Sequence, residues 1–329
     1  SEMCIRDRLR RYTVMQKKKI GNLEISNVLL GGELLGTAID EKTSFGLMDR
    51  YYELGGNCVD TARLYGNGKS EETIGKWIGA ARRSGREVYV STKGGHPRLE
   101  SMNVSRVSKK EIEDDINESL AALKTDTIDM YWLHRDNLSK EPEEILEFMN
   151  CFIKEGKIRN FGVSNWHADR IIAADEYAKK HSLCPIVASQ IKWSLAVPNA
   201  GTGDPTLVEM NDAEYELYKG SDLPVVAYSS QGKGIFSLLQ SGGVEALTDG
   251  IRTDYLNETN LRRFKAADAL AKEYGVSISS IVLAYIYSNP DISAHVLIGP
   301  VNIAQLEDSL SSCEMLLTGK DIRSLSVKK

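Results

Sequence analysis

The strongest constraint on the fold is an alternation of two kinds of segment along the chain. Short apolar runs rich in β-branched residues recur, and longer segments with the periodicity of amphipathic helices separate them. Because the apolar runs are nearly continuous, they are typical of strands buried on both faces of a parallel sheet. The predicted strands span residues 27–32, 57–60, 88–93, 128–134, 158–164, 186–190, 224–229 and 295–299.

Helical segments fill the gaps between these runs. Ser70 and Ser108 precede two of them and are predicted to cap the second and third helices. Repeated βα units form either a doubly wound sheet or a closed barrel, and eight units favour a (β/α)8 barrel. Residues 19–26 contain a Gly-Asn turn between apolar runs and predict an N-terminal β-hairpin that plugs the bottom of the barrel. Extra helices are expected near the C-terminus.

Composition limits the classes of partner and compartment. The 329 residues carry a net charge of -5 without a long basic block, so nucleic acid is not an expected partner. We expect no membrane association, because no apolar run approaches the length of a membrane span. The five scattered cysteines show no metal-ligand spacing and favour a reducing compartment, hence a cytoplasmic protein.

The two ends of the chain are interpreted differently. Residues 1–14 are basic, lack a strand pattern and resemble translated adapter sequence, so we interpret them as a non-native or disordered extension before Met15. Residues 15–329 are expected to form one barrel domain, as a monomer or homo-oligomer. Two stretches, 196–205 and 241–258, are predicted to be long loops.

Polar, aromatic or glycine residues end the predicted strands. In a barrel of this kind the active site lies at the C-terminal ends of the strands, so these residues are candidates for ligand contact. They are Asp60, Lys93, His134, Ser164, Asn165, Gln190, Tyr228, Ser229 and Gly299.

Several of these candidates have an ordinary structural alternative. Asp60 could cap the segment that follows it, and Ser164-Asn165 could cap the next helix. Gln190 and Tyr228 could be satisfied core residues. Lys93 is different, because a lysine directly after an apolar strand would be largely buried, and buried lysines need a partner.

The candidates make chemical sense as a group. Asp60 can pair with Lys93, and a lysine cation beside the nearby phenol of Tyr65 would lower the pKa of that phenol. Such a tyrosine can donate a proton to a carbonyl oxygen while hydride reaches the carbon, and His134 can donate a hydrogen bond to the same oxygen. The sequence has no nucleophile elbow and no metal-binding cluster, so hydrolysis and a metal site are not expected.

The same residues stand in motifs that resemble those of the aldo-keto reductase superfamily. Residues 56–71, 90–93 and 131–134 are similar to the segments that carry its catalytic Asp, Tyr, Lys and His, and the resemblance extends in order over residues 17–312. It implies a (β/α)8 barrel and NAD(P)H-dependent reduction of a small aldehyde or ketone. The implied catalytic residues are Asp60, Tyr65, Lys93 and His134, which we call the predicted tetrad.

The resemblance also implies a cofactor, NADP(H) or NAD(H), lying across the barrel mouth. Ser164, Asn165 and Gln190 would hold the nicotinamide carboxamide, and Tyr228 would stack on the nicotinamide ring. The implied contacts to the rest of the dinucleotide are Ser229, Gln231 and Gly232 at the pyrophosphate, and Gly299, Pro300, Asn302, Gln305 and Asp308 at the adenosine. Many relatives carry Arg or Lys directly after the Gly-Pro pair, whereas Val301 and Asn302 stand here, which leaves the choice between the two cofactors open.

Two other functions are compatible with the same motifs. One is an epimerase or lyase that retains its dinucleotide, and the other is a non-catalytic regulatory subunit that binds a dinucleotide. The substrate could be a sugar or a small aromatic aldehyde, since aromatic side chains stack on both. His96, Trp166, His167, Trp193 and the loop at 196–205 are the candidate pocket walls.

Overall fold

The computed structural model describes residues 15–311 and 313–326, and the interpretation of residues 1–14 concerns a segment outside these ranges. Two strands form an N-terminal hairpin, β1 (Lys17–Ile20) and β2 (Leu23–Ser26). Eight parallel strands follow and close into a barrel, in which β10 pairs with β3 and with β9. They are β3 (Val28–Gly31), β4 (Cys58–Asp60), β5 (Tyr89–Gly94), β6 (Met130–Leu133), β7 (Phe161–Ser164), β8 (Ser189–Lys192), β9 (Val225–Tyr228) and β10 (Ala294–Ile298). The predicted (β/α)8 barrel is therefore confirmed.

The hairpin closes the N-terminal end of the barrel, as the sequence predicted. Its turn contains Gly21, whose φ of 57° is in the left-handed region that favours glycine. Ile20, Leu23 and Ile25 of the hairpin pack against side chains of the barrel strands, among them Leu29, Cys58, Met130, Trp132 and Val226. This apolar layer fills the bottom of the barrel and leaves the opposite end for polar residues.

Helices lie between and after the barrel strands. They are α1 (Glu41–Glu53), α2 (Lys69–Arg83), α3 (Lys109–Leu123), α4 (Pro142–Lys154), α5 (Ala168–His181), α6 (Asp212–Lys219), α7 (Ile235–Gly242), α8 (Asp249–Tyr255), α9 (Glu258–Tyr274), α10 (Ile278–Tyr287), α11 (Ile303–Leu310) and α12 (Gly319–Leu325). Ser108 caps α3 as predicted, with its hydroxyl accepting from the backbone N–H of Glu111. The predicted C-terminal helices are α11 and α12, which follow the last strand.

Two local predictions are wrong. Ser70 does not cap α2, because the helix begins at Lys69 after Gly68 and the Ser70 hydroxyl instead donates to the carbonyl of Gly32 at 2.6 Å. The stretch 241–258 is not a continuous loop, since α8 lies within it and Thr248 caps that helix. Within the described residues no single helix is long and apolar enough to cross a membrane; α9 and α10 reach that length only together, across a bend of 102°.

Candidate active site

A cavity of about 830 Å³ lies at the C-terminal ends of the barrel strands. Most of the residues that the sequence singled out contribute to its wall, although they come from segments far apart in the chain. These are Asp60, Tyr65, His134, Ser164, Asn165, Gln190, Tyr228, Ser229, Gln231, Gly299, Pro300, Gln305 and Asp308. Three others, Lys93, Gly232 and Asn302, lie outside the lining of the cavity.

Lys93 and Asp60 form a buried ion pair on neighbouring strands. Asp60 on β4 pairs in register with Ser91 on β5, and Lys93 lies two residues further along β5. The side chains of Ser91 and Lys93 therefore point to the same face of the sheet as that of Asp60. The Lys93 ammonium contacts Oδ2 of Asp60 and also donates to the carbonyl of Thr61 at 2.8 Å. Lys93 is only 1% exposed. The sequence-based expectation of a buried lysine with a carboxylate partner therefore agrees with this geometry.

The second oxygen of Asp60 is also engaged. Its Oδ1 accepts from Ser91 Oγ at 2.5 Å and from the side-chain amide of Gln190 at 3.3 Å. Gln190 is thus tied to the ion pair, as well as lining the cavity. Asp60 does not act as a helix cap, because its carboxylate contacts Lys93, Ser91 and Gln190 instead.

Tyr65 stands beside the ion pair on a short 3-10 turn, Tyr65–Gly68. The Lys93 ammonium lies 5.1 Å from the centroid of the Tyr65 ring. Burial raises the pKa of the Tyr65 phenol, while the charge of Lys93 lowers it, and the balance is a pKa above the ordinary value. The expected effect of Lys93 is present, but the expectation of a lowered pKa is wrong, because burial of the phenol outweighs the cation. Tyr65 therefore remains protonated at neutral pH.

His134 follows β6 directly and faces Tyr65. The two rings meet edge to face, with centroids 6.1 Å apart, and the ring of His96 also lies edge to face with His134, with centroids 4.8 Å apart. Burial lowers the pKa of His134 well below its ordinary value, and the cation of Lys93 adds to the effect. The imidazole is therefore neutral and carries one N–H. Its Nδ1 has no hydrogen-bond partner among the described residues.

The predicted nicotinamide contacts form a hydrogen-bonded group. Asn165 has a φ of 61° and donates its side-chain amide to Ser164 Oγ at 3.1 Å and to the carbonyl of His134 at 3.3 Å. Its Oδ1 accepts from the Tyr228 hydroxyl at 2.7 Å and from the backbone N–H of Val208 at 3.2 Å. The Ser164-Asn165 pair is not a helix cap, because α5 begins after His167.

The loop after β9 makes a tight turn before α7. Ser229, Gly232, Lys233 and Gly234 all have positive φ, between 51° and 77°. A Cβ at Gly232 would come within 2.7 Å of the Ala196 side chain, so the turn requires glycine there. A left-handed turn that leads into a helix presents backbone N–H groups to an anion, as a pyrophosphate requires.

The opposite end of the cavity is formed by Gly299, Pro300, Gln305 and Asp308. Asn302 is the N-cap of α11 and accepts from the backbone N–H of Gln305 at 2.9 Å. Gln305 in turn accepts from the backbone N–H of Val301 at 3.0 Å. Asn302 thus orders this segment and does not itself face the cavity.

Some wall residues were not found from the sequence. Arg135 and Leu207 line the cavity, and so do Ser279 and Ser309. Of these four residues, only Arg135 has a position in the sequence that indicates a place in the cavity wall, because it directly follows His134. Two proposed pocket walls, Trp166 and Trp193, are core residues. His167 pairs with Glu214 at 2.6 Å, whereas His96 does lie beside His134.

Comparisons with known proteins agree with this architecture. The profile of the Aldo/keto reductase family matches residues 27–328. The chain is 29% identical to the oxidoreductase YrpG of Bacillus subtilis, over 92% of each chain. It is 27% identical to the aryl-alcohol dehydrogenase GME11368 of Pestalotiopsis microspora, over 93% of this chain and 77% of that one.

A solved structure shares the fold. The crystal structure of the thermostable aldo-keto reductase Tm1743 with the inhibitor epalrestat superimposes with a TM-score of 0.71 at 23% identity, over 95% of this chain and 99% of that one. The relatives are named as oxidoreductases and dehydrogenases. An epimerase, a lyase or a regulatory subunit is therefore not favoured. The chain belongs to the Aldo/keto reductase family and is an NAD(P)H-dependent oxidoreductase that reduces carbonyl compounds.

Proposed function

We propose that Asp60, Tyr65, Lys93 and His134 carry the reduction of an aldehyde or ketone to an alcohol, with Tyr65 as the proton donor. The observation that carries this proposal is the buried Asp60–Lys93 pair next to Tyr65, with the neutral ring of His134 facing the same phenol. A carbonyl oxygen placed between Tyr65 and His134 would have two hydrogen-bond donors.

The cavity suits a dinucleotide in size and in chemistry. Its volume of about 830 Å³ lies in the range of small-molecule sites. Its wall offers Asn165 and Tyr228 near the tetrad, and the turn at Ser229 to Gly234 lies along it. These residues would hold the nicotinamide and the pyrophosphate respectively. When bound, the reduced nicotinamide supplies the hydride.

The chain's own residues perform the proton transfer. Tyr65 is protonated at neutral pH because burial raises its pKa, so its Oη can donate the proton to the carbonyl oxygen. Lys93 then stabilises the phenolate that remains. Burial alone would lower the pKa of Lys93, but Asp60 and Tyr65 reverse the shift and keep the ammonium charged. His134 donates a hydrogen bond from its single N–H and orients the carbonyl.

We propose aromatic aldehydes and ketones as the substrate class. Leu34 and Leu207 line the same cavity as Tyr65, which gives the pocket apolar walls for an aromatic ring. One relative is named as an aryl-alcohol dehydrogenase. We further propose a single domain over residues 15–329 that works in the cytoplasm as a monomer or homo-oligomer, and size-exclusion chromatography with cell fractionation tests these points.

A screen of cofactor oxidation tests the proposed function. NADH and NADPH would be supplied in parallel with benzaldehydes, aryl ketones and aldoses, and the Tyr65→Phe variant would serve as the control. We expect turnover of the aromatic carbonyls by the wild type and its loss in the variant. Equal rates in the two proteins would reject the assignment of Tyr65, and turnover of aldoses alone would reject the substrate class.

A further inference from the structure

A buried cation in the cavity wall has no part in the mechanism described above. Arg135 directly follows His134, lines the cavity and is only 9% exposed. A guanidinium is costly to bury, because the ion loses its hydration, unless partners or a ligand replace the lost water. The partners of Arg135 therefore indicate how much of its hydrogen-bonding capacity the protein itself uses.

The protein fixes the guanidinium and leaves part of it free. Nε donates to Thr206 Oγ1 at 3.0 Å, one Nη1–H donates to the carbonyl of His134 at 2.9 Å, and one Nη2–H donates to Asp204 Oδ2 at 3.3 Å. An arginine has five N–H donors, so two of them lack a partner among the described residues. The free donors belong to Nη1 and Nη2, the two nitrogens that bind a carboxylate side by side.

The charge of Asp204 balances Arg135 only in part. Its side chain is 32% exposed, and its other oxygen, Oδ1, accepts from the backbone and hydroxyl of Thr206 at 2.8 Å and 2.7 Å. The side chains of Thr206 and Asp204 thus hold the guanidinium by its outer edge. An anion in the cavity would meet the two donors of Nη1 and Nη2 that these contacts leave free.

Arg135 is close to the reacting groups. After burial, the dominant cause, its charge contributes to the lowered pKa of both His96 and His134. It also acts on the hydroxyl of Tyr228, whose pKa burial raises. The charge of Arg135 therefore acts on His134, which faces Tyr65, and on Tyr228, which is predicted to stack on the nicotinamide.

We propose that Arg135 is a specificity-determining residue that binds a carboxylate placed next to the reacting carbonyl of the substrate. The inference rests on the proposed function and narrows it to aromatic 2-oxo acids and aldehydes with a neighbouring carboxylate. The carboxylate takes no part in the redox step: hydride reaches the carbonyl carbon, the proton reaches its oxygen, and the carboxylate is unchanged. The guanidinium fork supplies the two parallel hydrogen bonds that such a group accepts.

A charged substrate and its neutral methyl ester test the proposal. Phenylglyoxylate and its methyl ester present the same ketone, so the ratio of their kcat/KM values reports recognition of the carboxylate. The wild type should prefer the acid. Arg135→Gln should lower this ratio by about tenfold or more, because a charge-assisted hydrogen bond is lost.

Asp204→Asn changes the ratio in the opposite direction. Asparagine keeps one acceptor oxygen, which can take the place of Oδ1 and accept from Thr206, whereas its NH2 group replaces Oδ2 and cannot accept from Arg135. The counter-charge and this hydrogen bond are both removed, so the preference for the acid should rise. This variant keeps the proposal testable if Arg135→Gln does not fold. Thr206→Val is the matched control: it removes a contact of the guanidinium without changing charge, and the ratio should stay close to that of the wild type.

Three outcomes would overturn the proposal. The first is a wild-type ratio at or below one. The second is an equal loss for acid and ester in Arg135→Gln together with weaker cofactor binding in a fluorescence titration, which would show that Arg135 serves the dinucleotide. The third is a lower ratio in Asp204→Asn. Turnover of the methyl ester that depends on Tyr65 would leave the proposed function standing in each case.

Discussion

The hydroxyl of Tyr228 donates a 2.7 Å hydrogen bond to Oδ1 of Asn165, so two residues predicted to hold the nicotinamide also hold each other. Asn165 is fixed further by the backbone of Val208 and by the carbonyl of His134. The orientation of the Tyr228 ring is therefore set by polar contacts around its hydroxyl, and not by packing alone.

This arrangement separates two contributions of Tyr228 to cofactor binding. Tyr228→Ala removes the ring, and we expect the binding free energy to weaken by ~1–3 kcal/mol, the range found for aromatic stacking on bases. Tyr228→Phe keeps the ring and removes only the hydrogen bond to Asn165, so it should lose less. Fluorescence titration with NADH and NADPH measures both. Affinity that is unchanged in Tyr228→Ala would show that the ring does not contact the cofactor.

Removal of the Tyr65 hydroxyl should separate chemistry from binding. In Tyr65→Phe we expect kcat to fall by ~100-fold or more, the usual effect of losing a general acid. Dinucleotide affinity should stay nearly the same, because the ring and its surroundings remain. Steady-state kinetics with a parallel binding titration check this, and a variant that keeps most of the wild-type rate would show that another group donates the proton.

The Asp60–Lys93 pair should matter for stability as well as for activity. Asp60→Ala leaves the Lys93 ammonium buried without its carboxylate, and we expect the free energy of unfolding to fall by about 3–5 kcal/mol. The double variant Asp60→Ala with Lys93→Met removes both charges and should recover much of that loss, but not the activity. Denaturant unfolding measures the two proteins. A single variant as stable as the wild type would mean that water or another anion replaces the carboxylate.

The barrel and the contact between Asp60 and Lys93 could be predicted from the sequence for the same reason. Buried parallel strands give continuous apolar runs, and a charged residue such as Lys93 at the end of such a run needs a buried partner. The position of Ser70 shows the limit of local patterns. A serine before Glu residues is typical of a cap, but here a contact with Gly32, 38 residues earlier, directs its hydroxyl into the barrel.

Contacts between distant loops could not be predicted. Arg135 meets Asp204 and Thr206 of another loop, about 70 residues later, and nothing in either segment indicates the pairing. The direction of the net shift in the pKa of Tyr65 could not be predicted either. The sequence indicates that a lysine is near the phenol, but only the packing shows how deeply the phenol is buried.

His295 should make stability depend on pH. Burial lowers the pKa of this histidine from 6.5 to about 4, and its Nε2 has no hydrogen-bond partner among the described residues. Between these two values the unfolded chain binds a proton that the folded protein excludes, so stability is complete above pH 6.5 and falls as the pH drops towards 4. The loss is on the order of 3 kcal/mol for a shift of this size.

Thermal unfolding of the wild type and of His295→Gln between pH 4 and 6.5 measures the contribution of His295 to the pH dependence of stability. Gln cannot be protonated, and its amide can still donate to the carbonyl of Ser26, which His295 Nδ1 contacts at 3.0 Å. The difference in Tm between the two proteins should therefore narrow or reverse as the pH falls. Parallel curves for the two proteins would show that other groups, among them His134, account for the acid sensitivity.

We predict the preference between NADPH and NADH from the charged residues that line the cavity. A 2′-phosphate carries up to two negative charges and needs cationic, preferably forked, donors. Among the described residues that line the cavity the cations are Arg135, next to the tetrad, and Lys233, which is paired with Asp254 at 2.5 Å. Asp308 adds a negative charge at the end of the cavity where the adenosine is predicted to lie. Lys265 of α9 does not line the cavity.

We therefore expect the kcat/KM ratio of NADPH over NADH to lie below about 100, because a lost charge-assisted pair typically removes ~1.5–3 kcal/mol. Val301 is 43% exposed beside this end of the cavity, so an arginine there can reach an added phosphate without disturbing the core. Val301→Arg should strengthen NADPH binding and leave NADH binding little changed, whereas Val301→Gln, a neutral control of similar length, should do neither. Steady-state kinetics and binding titrations with both cofactors decide the matter. A wild-type preference for NADPH of several thousandfold, with no gain from Val301→Arg, would mean that Lys233 leaves Asp254 to bind the phosphate, and Lys233→Met should then abolish the preference.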